Sequence, residues 1–174
     1  MTTWDQIDDF NEQINREIAS FELRDVILNP DYLLAEDFVI QHLDWCSIKF
    51  ERNEMGKVPH DKRGVYGFAI GVESDVLPPH GYILYIGMAG RNSDRPLRER
   101  CSDYLTPSKV IKRRRIKRAM NWRRVLRLIF APVDDAVPTE DIELLESQLN
   151  TAFISPFAEQ DMDADLRETR GAWR

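Results

Sequence analysis

The chain has 174 residues, of which 43% are hydrophobic, so it can bury the core of one domain with an extension and is not generally disordered. No apolar run approaches the roughly 20 residues of a membrane span, and the acidic first residues contain no apolar leader. The two cysteines, Cys46 and Cys101, have no paired spacing and are expected to be reduced thiols, so we expect a cytoplasmic protein with no membrane contact.

The charges are unevenly distributed along the chain, which has a net charge of −6. The basic stripe, residues 91–127, holds 14 Lys and Arg against three Asp and Glu, a balance of +11, while the rest carries −17. Residues 106–131 contain no acidic residue, whereas a solvated helix face usually mixes both signs. We therefore favour binding to a nucleic-acid backbone, with a solvated basic face as the alternative.

The first 60 residues, with 13 acidic and five basic side chains, are interpreted as an acidic helical extension. Apolar residues at helical spacing predict an amphipathic helix over 4–28, ended by Asn29-Pro30. A second helix is expected over 31–45, followed by a short strand at 46–52 and a loop.

The domain predicted over 61–158 has the order β-β-α-α-β-α from Gly64 onward. Alternating apolar residues predict a hairpin of strands 65–72 and 82–89, and a third strand at 125–133. Helices are expected over 95–105, from Ser108 to about Arg124, and over 139–154, before an acidic tail at 159–174. The expected class is α+β, with a short antiparallel sheet of about three strands flanked by helices.

An ordered set of motifs lies within this domain: Gly64-Val65-Tyr66, then Tyr85-Ile86-Gly87, then Arg100 with Tyr104 four residues later, then Glu146 on a helix. This set resembles the GIY-YIG nucleases, a superfamily that includes the nuclease domain of the excision-repair protein UvrC and some restriction endonucleases. The resemblance covers residues 64–158 and implies a compact α+β fold that cuts phosphodiesters with one divalent metal, Mg²⁺ or Mn²⁺.

The resemblance also implies roles for the individual residues. Tyr66 and Tyr85 would be the motif tyrosines, one of which helps to activate water; Arg100 would be the active-site arginine, Tyr104 its aromatic companion, and Glu146 the metal ligand. The chemistry of the residue types agrees, because arginine keeps its charge beside a phosphate and a carboxylate suits magnesium. A nearby cation would favour the phenolate of Tyr66.

Structural alternatives remain open for each of these residues. Tyrosines on strands are usually core residues, and Arg100 alone is typical of a surface charge. Glu146 lies on or beside an apolar stripe of its helix, so its carboxylate needs a partner, and a buried ion pair is the rival to a metal. Gly87 lacks a side chain and permits close approach of a backbone or a phosphate.

The sequence also departs from the family. The 18 residues between Tyr66 and Tyr85 lengthen the hairpin, and Glu159 or Gln160 stands where the family often has an asparagine. The leading hypothesis is a metal-dependent DNA endonuclease, suited to restriction, phage defence or a mobile element. The alternative is an inactive or partner-dependent nucleic-acid-binding subunit, and a third is a protein-interaction module whose acidic helices dock a partner. A restriction-type cutter needs two active sites for two strands, which favours a homodimer.

Phosphate-backbone contacts are expected from the basic stripe. The side chains assigned to this role are Arg98, Lys112, Arg113, Arg114, Arg115, Lys117, Arg118 and Arg123.

Overall fold

The computed structural model describes residues 30–34, 37–71, 76, 81–91 and 95–156. The helix predicted over residues 4–28 and the tail at 159–174 lie outside these ranges. Within the described residues no helix is both long and apolar enough to cross a membrane.

The centre of the domain is one antiparallel sheet. Its strands are β1 (Cys46–Lys49), β2 (Gly64–Gly71), β3 (Gly81–Ala89) and β4 (Leu126–Pro132). Their spatial order is β1–β4–β2–β3, so the hairpin of β2 and β3 occupies one side and β1 forms the other edge. The predicted α+β class is confirmed, but the sheet has four strands rather than about three.

Five helices surround the sheet in the described residues: α1 (Pro30–Leu33), α2 (Leu97–Ser102), α3 (Pro107–Val110), α4 (Arg114–Ala119) and α5 (Thr139–Phe153). Turns of 3-10 helix follow β1, α2 and α4, at Arg52–Lys57, Asp103–Leu105 and Met120–Trp122. Helix α5 begins with Glu140 and Asp141 in its first turn, as predicted, where carboxylates favour the helix dipole.

The alternation of side chains gives the sheet two different faces. The aromatic face presents Tyr66, Phe68, Leu128 and Phe130 and is covered by α2 to α4. The aliphatic face presents residues such as Val65 and Ala131 and is covered by α5. Residues that succeed one another along β2 therefore belong to separate cores, and the sheet lies between them.

The helix predicted over 31–45 is wrong beyond Leu33. Residues 37–45 run without regular structure, and Phe38, Val39 and Leu43 pack against the core beneath α5. The side chain of Gln148 replaces helical hydrogen bonds there, since its Oε1 accepts from the Val39 amide at 3.0 Å and its Nε2 donates to the Asp37 carbonyl. Tertiary packing has overridden the local helical pattern.

The single basic helix predicted from Ser108 to about Arg124 is also wrong. The chain forms α3, a turn and α4 instead, and α3 begins after Thr106 with Pro107 in its first turn. Residues 111–113 form the break, with Lys112 and Arg113 in it, and Arg114 and Arg115 begin α4. The turn brings Arg113 back towards the sheet.

The boundary predicted at residue 60 is corrected by the pairing of β1. This strand pairs with β4 from Cys46 opposite Phe130 to Lys49 opposite Arg127. Phe50, Met55 and Val58 then enter the core of the aromatic face. Residues 46–60 are therefore part of the sheet domain and not of a separate extension.

Candidate active site

Three of the predicted site residues meet in one buried cluster on the aromatic face. The hydroxyls of Tyr66 and Tyr104 are 2.6 Å apart, and the Nε of Arg100 donates to the Tyr66 hydroxyl at 3.2 Å. The two tyrosines are 0% and 1% exposed, and Arg100 is half-buried. Strand β2 supplies Tyr66, and the segment from α2 through the following 3-10 turn supplies the other two. We call Tyr66, Tyr85, Arg100 and Tyr104 the tyrosine cluster.

Tyr85 joins this cluster from the neighbouring strand. Its ring centroid lies 6.2 Å from that of Tyr66. The β2–β3 register shifts between Phe68 and Ala69, which leaves an additional residue, Leu84, on β3. This bulge turns both Leu84 and Tyr85 towards the same core, although they are adjacent in sequence.

Gly87 makes the convergence of the two motif tyrosines possible. It pairs directly with Tyr66 and lies two residues beyond Tyr85 on the same face of β3. A Cβ at this position would lie 2.7 Å from the Tyr85 hydroxyl and 2.9 Å from the Tyr66 hydroxyl. Both distances are shorter than Cβ atoms normally allow, so a larger residue here would force the ends of the two tyrosine side chains to shift. The groups closest to Gly87 are these tyrosine side chains, whereas the sequence predicted a backbone or a phosphate.

Burial controls the protonation of the cluster. Burial raises the pKa of Tyr66 well above its ordinary value and outweighs the opposing effect of Arg100. Burial also raises the pKa of Tyr104. For Arg100 burial alone would lower the pKa, but the neighbouring tyrosines raise it overall. In the protein alone Tyr66 and Tyr104 are therefore neutral phenols beside the permanent cation of Arg100, not the phenolate favoured by the sequence argument.

A second arginine approaches the cluster from the break between α3 and α4. The guanidinium of Arg113 lies 5.1 Å from the centroid of the Tyr104 ring, and that of Arg100 lies 5.7 Å from the same centroid. The Nη1 of Arg113 is inaccessible to solvent and has no hydrogen-bond partner within the described residues. A buried guanidinium donor without an acceptor is costly, and an anionic ligand would relieve that cost.

A buried carboxylate anchors the turn that carries Tyr104. Asp103 is 5% exposed and pairs with Arg95 at 3.1 Å and with Lys109. Burial would raise the pKa of Asp103. The hydrogen bonds from Arg95 and Lys109 lower it by more, so the pKa of Asp103 lies below its ordinary value. The ion pairs tie α2 to α3 and so fix Tyr104 against the sheet.

Glu146 approaches from the other side of the sheet. It lies on α5 among the apolar residues that cover the aliphatic face and is 4% exposed, as the helical stripe predicted. Its carboxylate pairs with the Nη2 of Arg91, whose Nε lies 3.3 Å from Glu143 one turn earlier on α5. This arrangement is the ion pair that the sequence left open as the rival to a metal.

The backbone at Gly90 places Arg91 over α5. Gly90 has φ of 101°, a left-handed conformation that glycine adopts without strain, and it turns the chain as β3 ends. Sequence reasoning missed Arg91 as a site residue. The available signal was its position, four residues after Gly87 and directly after a glycine at the end of a motif strand.

The structure separates the predicted phosphate contacts. Arg98 donates from Nε to the Val58 carbonyl at 2.6 Å and from Nη2 to the Gly56 carbonyl at 2.7 Å, so it holds α2 to the preceding loop. Lys117 is 8% exposed, and burial lowers its pKa, which makes it a poor surface contact. Lys112 is exposed in the turn, and Arg123 lines a cleft at the other end of the sheet. Helix α4 carries Arg114, Arg115 and Arg118.

Metal binding by a dedicated cage has no support in the described residues, where no group of three or more His, Cys, Asp or Glu side chains converges. Comparison of the chain with protein-family models, curated proteins and solved structures found no match.

Proposed function

We propose that the chain is a DNA endonuclease of the GIY-YIG type and that the tyrosine cluster is its catalytic centre. The observation that supports the proposal is the hydrogen-bonded group formed by Tyr66, Tyr104 and Arg100. Tyr66 lies 34 residues before Arg100 and 38 before Tyr104 in sequence, yet the three residues meet beside Gly87. A purely structural core would not need a guanidinium or converging hydroxyls at this place.

Arg100 is the group that binds the scissile phosphate. Its charge persists at every relevant pH, because the tyrosines raise its pKa above the ordinary value of arginine. The Nε of Arg100 donates to Tyr66, and the four N–H donors of its two Nη atoms can bind a phosphate oxygen. Arg113, on the same Tyr104 ring, adds a second cation where the negative charge of the transition state develops.

The Tyr66 hydroxyl orients the attacking water once substrate binding opens the cluster, because the side chain is 0% exposed in the protein alone. Because burial keeps its phenol neutral, the first role of Tyr66 is to hold a water by hydrogen bonding rather than to remove its proton as a phenolate. The bond to Tyr104 and the donation from Arg100 fix the direction of the Tyr66 hydroxyl. Proton transfer then requires a change in electrostatic environment on substrate binding.

A divalent cation fits the donor set of α5. Glu146 and Glu143 are hard oxygen ligands on adjacent turns, and the Arg91 guanidinium is a stand-in that already places positive charge between them. These two carboxylates would hold Mg²⁺ or Mn²⁺ once Arg91 has moved away. When bound there, the ion would supply Lewis-acid stabilisation to a phosphate that reaches α5, which lies on the side of the sheet opposite the tyrosine cluster.

The test is cleavage of supercoiled plasmid and of single-stranded DNA in magnesium or manganese. We expect the wild-type chain to cut, and Arg100→Ala and Glu146→Ala each to lose at least about 100-fold in rate. Lys57→Ala, which removes an exposed cation paired with nearby Glu54, serves as the control. Absence of cutting by the wild type, or normal cutting by both site variants, would overturn the assignment.

A nucleic-acid-binding subunit without chemistry is the second candidate. The pairing of Glu146 with Arg91 favours it, because a metal must displace a guanidinium. Calorimetry with magnesium separates the two. An endonuclease should bind the ion with a signal that Glu146→Gln removes, whereas a binding subunit should bind DNA while showing no such signal.

A further inference from the structure

A second basic site lies at the end of the sheet away from the motif glycines. Here β2 ends at Gly71 and β4 begins at Leu126, and the chain forms an open cleft of about 240 Å³. Its charged lining consists of Lys49, Glu51, Arg123, Arg124 and Arg127. We call it the distal cleft. Four cations face one carboxylate, although they come from two separate parts of the chain.

Contacts within the sheet hold Arg127 in place at the distal cleft. Arg127 donates from Nε to the Ser47 hydroxyl at 2.7 Å and from Nη2 to the Ser47 carbonyl at 3.3 Å, which holds its side chain across the β1–β4 edge. A Cβ at Gly71 would lie 2.8 Å from the Arg127 Cδ, so glycine there leaves room for that side chain.

The charges of the cleft are incompletely neutralised. Lys49 and Arg124 are exposed, and their side chains make no hydrogen bond or ion pair within the described part of the chain. Like charges held close together repel, and an anion placed between them removes the repulsion. Trp122, directly before Arg123, is 37% exposed and offers a face on which a base can stack.

We propose that the distal cleft binds backbone phosphates of the nucleic acid whose scissile phosphate lies at the tyrosine cluster. The position of the scissile phosphate at the tyrosine cluster rests on the proposed function. Tyr66 and Gly71 are five residues apart on β2, which is about 17 Å in an extended strand. That span matches about five base pairs of duplex, so one substrate molecule reaches both sites.

The basic character of the cleft specifies the chemistry of the ligand. Several cations along one cleft suit successive phosphates, whereas a single small anion would satisfy only some of them. The cleft also explains why Arg123, Arg124 and Arg127 belong to the basic stripe even though they follow its helices. Lys49 lies outside the stripe in sequence and joins it through the β1–β4 pairing.

The experiment measures DNA binding by the full chain at several salt concentrations, using fluorescence anisotropy of a labelled oligonucleotide of about 20 nucleotides, single-stranded and as a duplex. The test variant is Lys49→Ala with Arg124→Ala. The control is Lys57→Ala with Lys62→Ala, which loses the same charge from surface lysines paired with Glu54 and Asp135. Thermal unfolding establishes that both variants fold as the wild type does.

We expect the test variant to bind DNA at least about tenfold more weakly. The slope of its log affinity against log salt concentration should fall by an amount equal to about two phosphate contacts, while the control stays near wild type. An unchanged affinity and salt slope, a loss matched by the control, or no DNA binding by the wild type would each overturn the proposal. Competition with inorganic phosphate supplies another arm. A phosphate-binding signal lost in the test variant, with DNA binding intact, would assign the cleft to a free anion instead.

Failure of the proposed catalytic function has a different signature. If the wild type binds DNA through the distal cleft but cuts none, the cleft inference stands for binding while the endonuclease assignment fails. If the wild type cuts DNA, the test variant should raise KM and leave kcat near the wild-type value, because the cleft contacts substrate away from the reacting phosphate.

Discussion

The tyrosine cluster and the Arg91–Glu146 pair hold their polar groups in different ways. In the cluster, hydroxyls 2.6 Å apart and a guanidinium are already joined by hydrogen bonds on the aromatic face. On α5, a carboxylate that is 4% exposed is neutralised by an arginine whose side chain is 43% exposed. The cluster is held by hydrogen bonds among its own buried groups, while Glu146 is paired with an arginine that is partly exposed to solvent.

Under the proposed function, this difference separates groups that are organised before substrate binds from a carboxylate that a metal must release from Arg91. Preorganised donors need no rearrangement when charge develops at a phosphate. A carboxylate held by arginine binds a metal more weakly, because the ion must first break a charged hydrogen bond. The aliphatic face is therefore expected to control the metal dependence of the protein, and the aromatic face its chemistry.

The largest expected effect is on the α5 side. Arg91→Ala leaves the buried carboxylate of Glu146 without its guanidinium, and we expect the free energy of unfolding to fall by about 3 kcal/mol. Magnesium should restore part of this loss by taking the place of the guanidinium. Denaturant unfolding with and without millimolar magnesium measures both quantities.

The control for that variant is Lys62→Ala, which breaks the exposed ion pair with Asp135. A surface pair contributes little, so its loss should change stability only slightly and create no magnesium response. The account would be contradicted if the Arg91→Ala protein were as stable as wild type and its stability did not respond to magnesium. Glu146 would then not depend on Arg91 for its neutralisation.

The next effect concerns the glycine beneath the tyrosine cluster. Gly87→Ala introduces a Cβ within 3 Å of two hydroxyls, so these must move apart, and we expect cleavage to slow by about 100-fold. Gly56→Ala is the matched control, since its Cβ would meet nothing within 4 Å. Equal cleavage rates for the two variants would mean that the convergence of Tyr66 and Tyr85 has no catalytic importance.

A smaller effect is expected at the anchor of Tyr104. Because the pKa of Asp103 lies below its unfolded value, its stabilisation is complete above about pH 4 and is lost as pH falls through the folded pKa. Asp103→Asn should lower the free energy of unfolding by about 1–2 kcal/mol near neutral pH and by less in acid. Urea unfolding between pH 3 and pH 7 measures how the stability difference between the variant and the wild type shrinks in acid.

Glu99→Gln provides the comparison, because Glu99 also pairs with Arg95 but its side chain is 57% exposed. We expect this variant to follow the wild type across the same pH range. If Asp103→Asn differs from wild type by the same amount at every pH, the titration of Asp103 does not stabilise the turn.

The smallest effect is expected from Tyr104→Phe. This change removes one hydroxyl of the 2.6 Å pair but leaves Arg100 bonded to Tyr66, so the free energy of unfolding should fall by about 1 kcal/mol. Cleavage should slow by about tenfold, since Tyr66 loses one of two orienting contacts. A rate unchanged within error would place Tyr104 outside the catalytic group.

The sequence predicts those parts of the fold that depend on local alternation. Tyr66 and Tyr85 were placed correctly on a hairpin because β2 and β3 alternate, and Glu146 was placed on a buried helix face because its apolar neighbours recur at helical spacing. These patterns are short-range, and tertiary contacts agree with them.

Other features depend on contacts that no local pattern encodes. The pairing of β1 with β4 joins residues about 80 positions apart, and the irregular path of 37–45 exists because Gln148 satisfies its backbone. The break before Arg114 follows from tertiary positioning of Arg113 over Tyr104. The partner of Glu146 is likewise fixed by the bend at Gly90, which sequence spacing alone does not specify.

The most direct test of the central claim is single-turnover cleavage of DNA by Tyr66→Phe, measured beside Tyr82→Phe. Both changes remove one strand tyrosine hydroxyl, but Tyr66 is fully buried in the cluster and Tyr82 is 45% exposed near the start of β3. We predict a rate at least about 100-fold below wild type for Tyr66→Phe, with DNA affinity retained, and a wild-type rate for Tyr82→Phe. Equal rates in all three proteins would contradict the assignment of the tyrosine cluster as a catalytic centre.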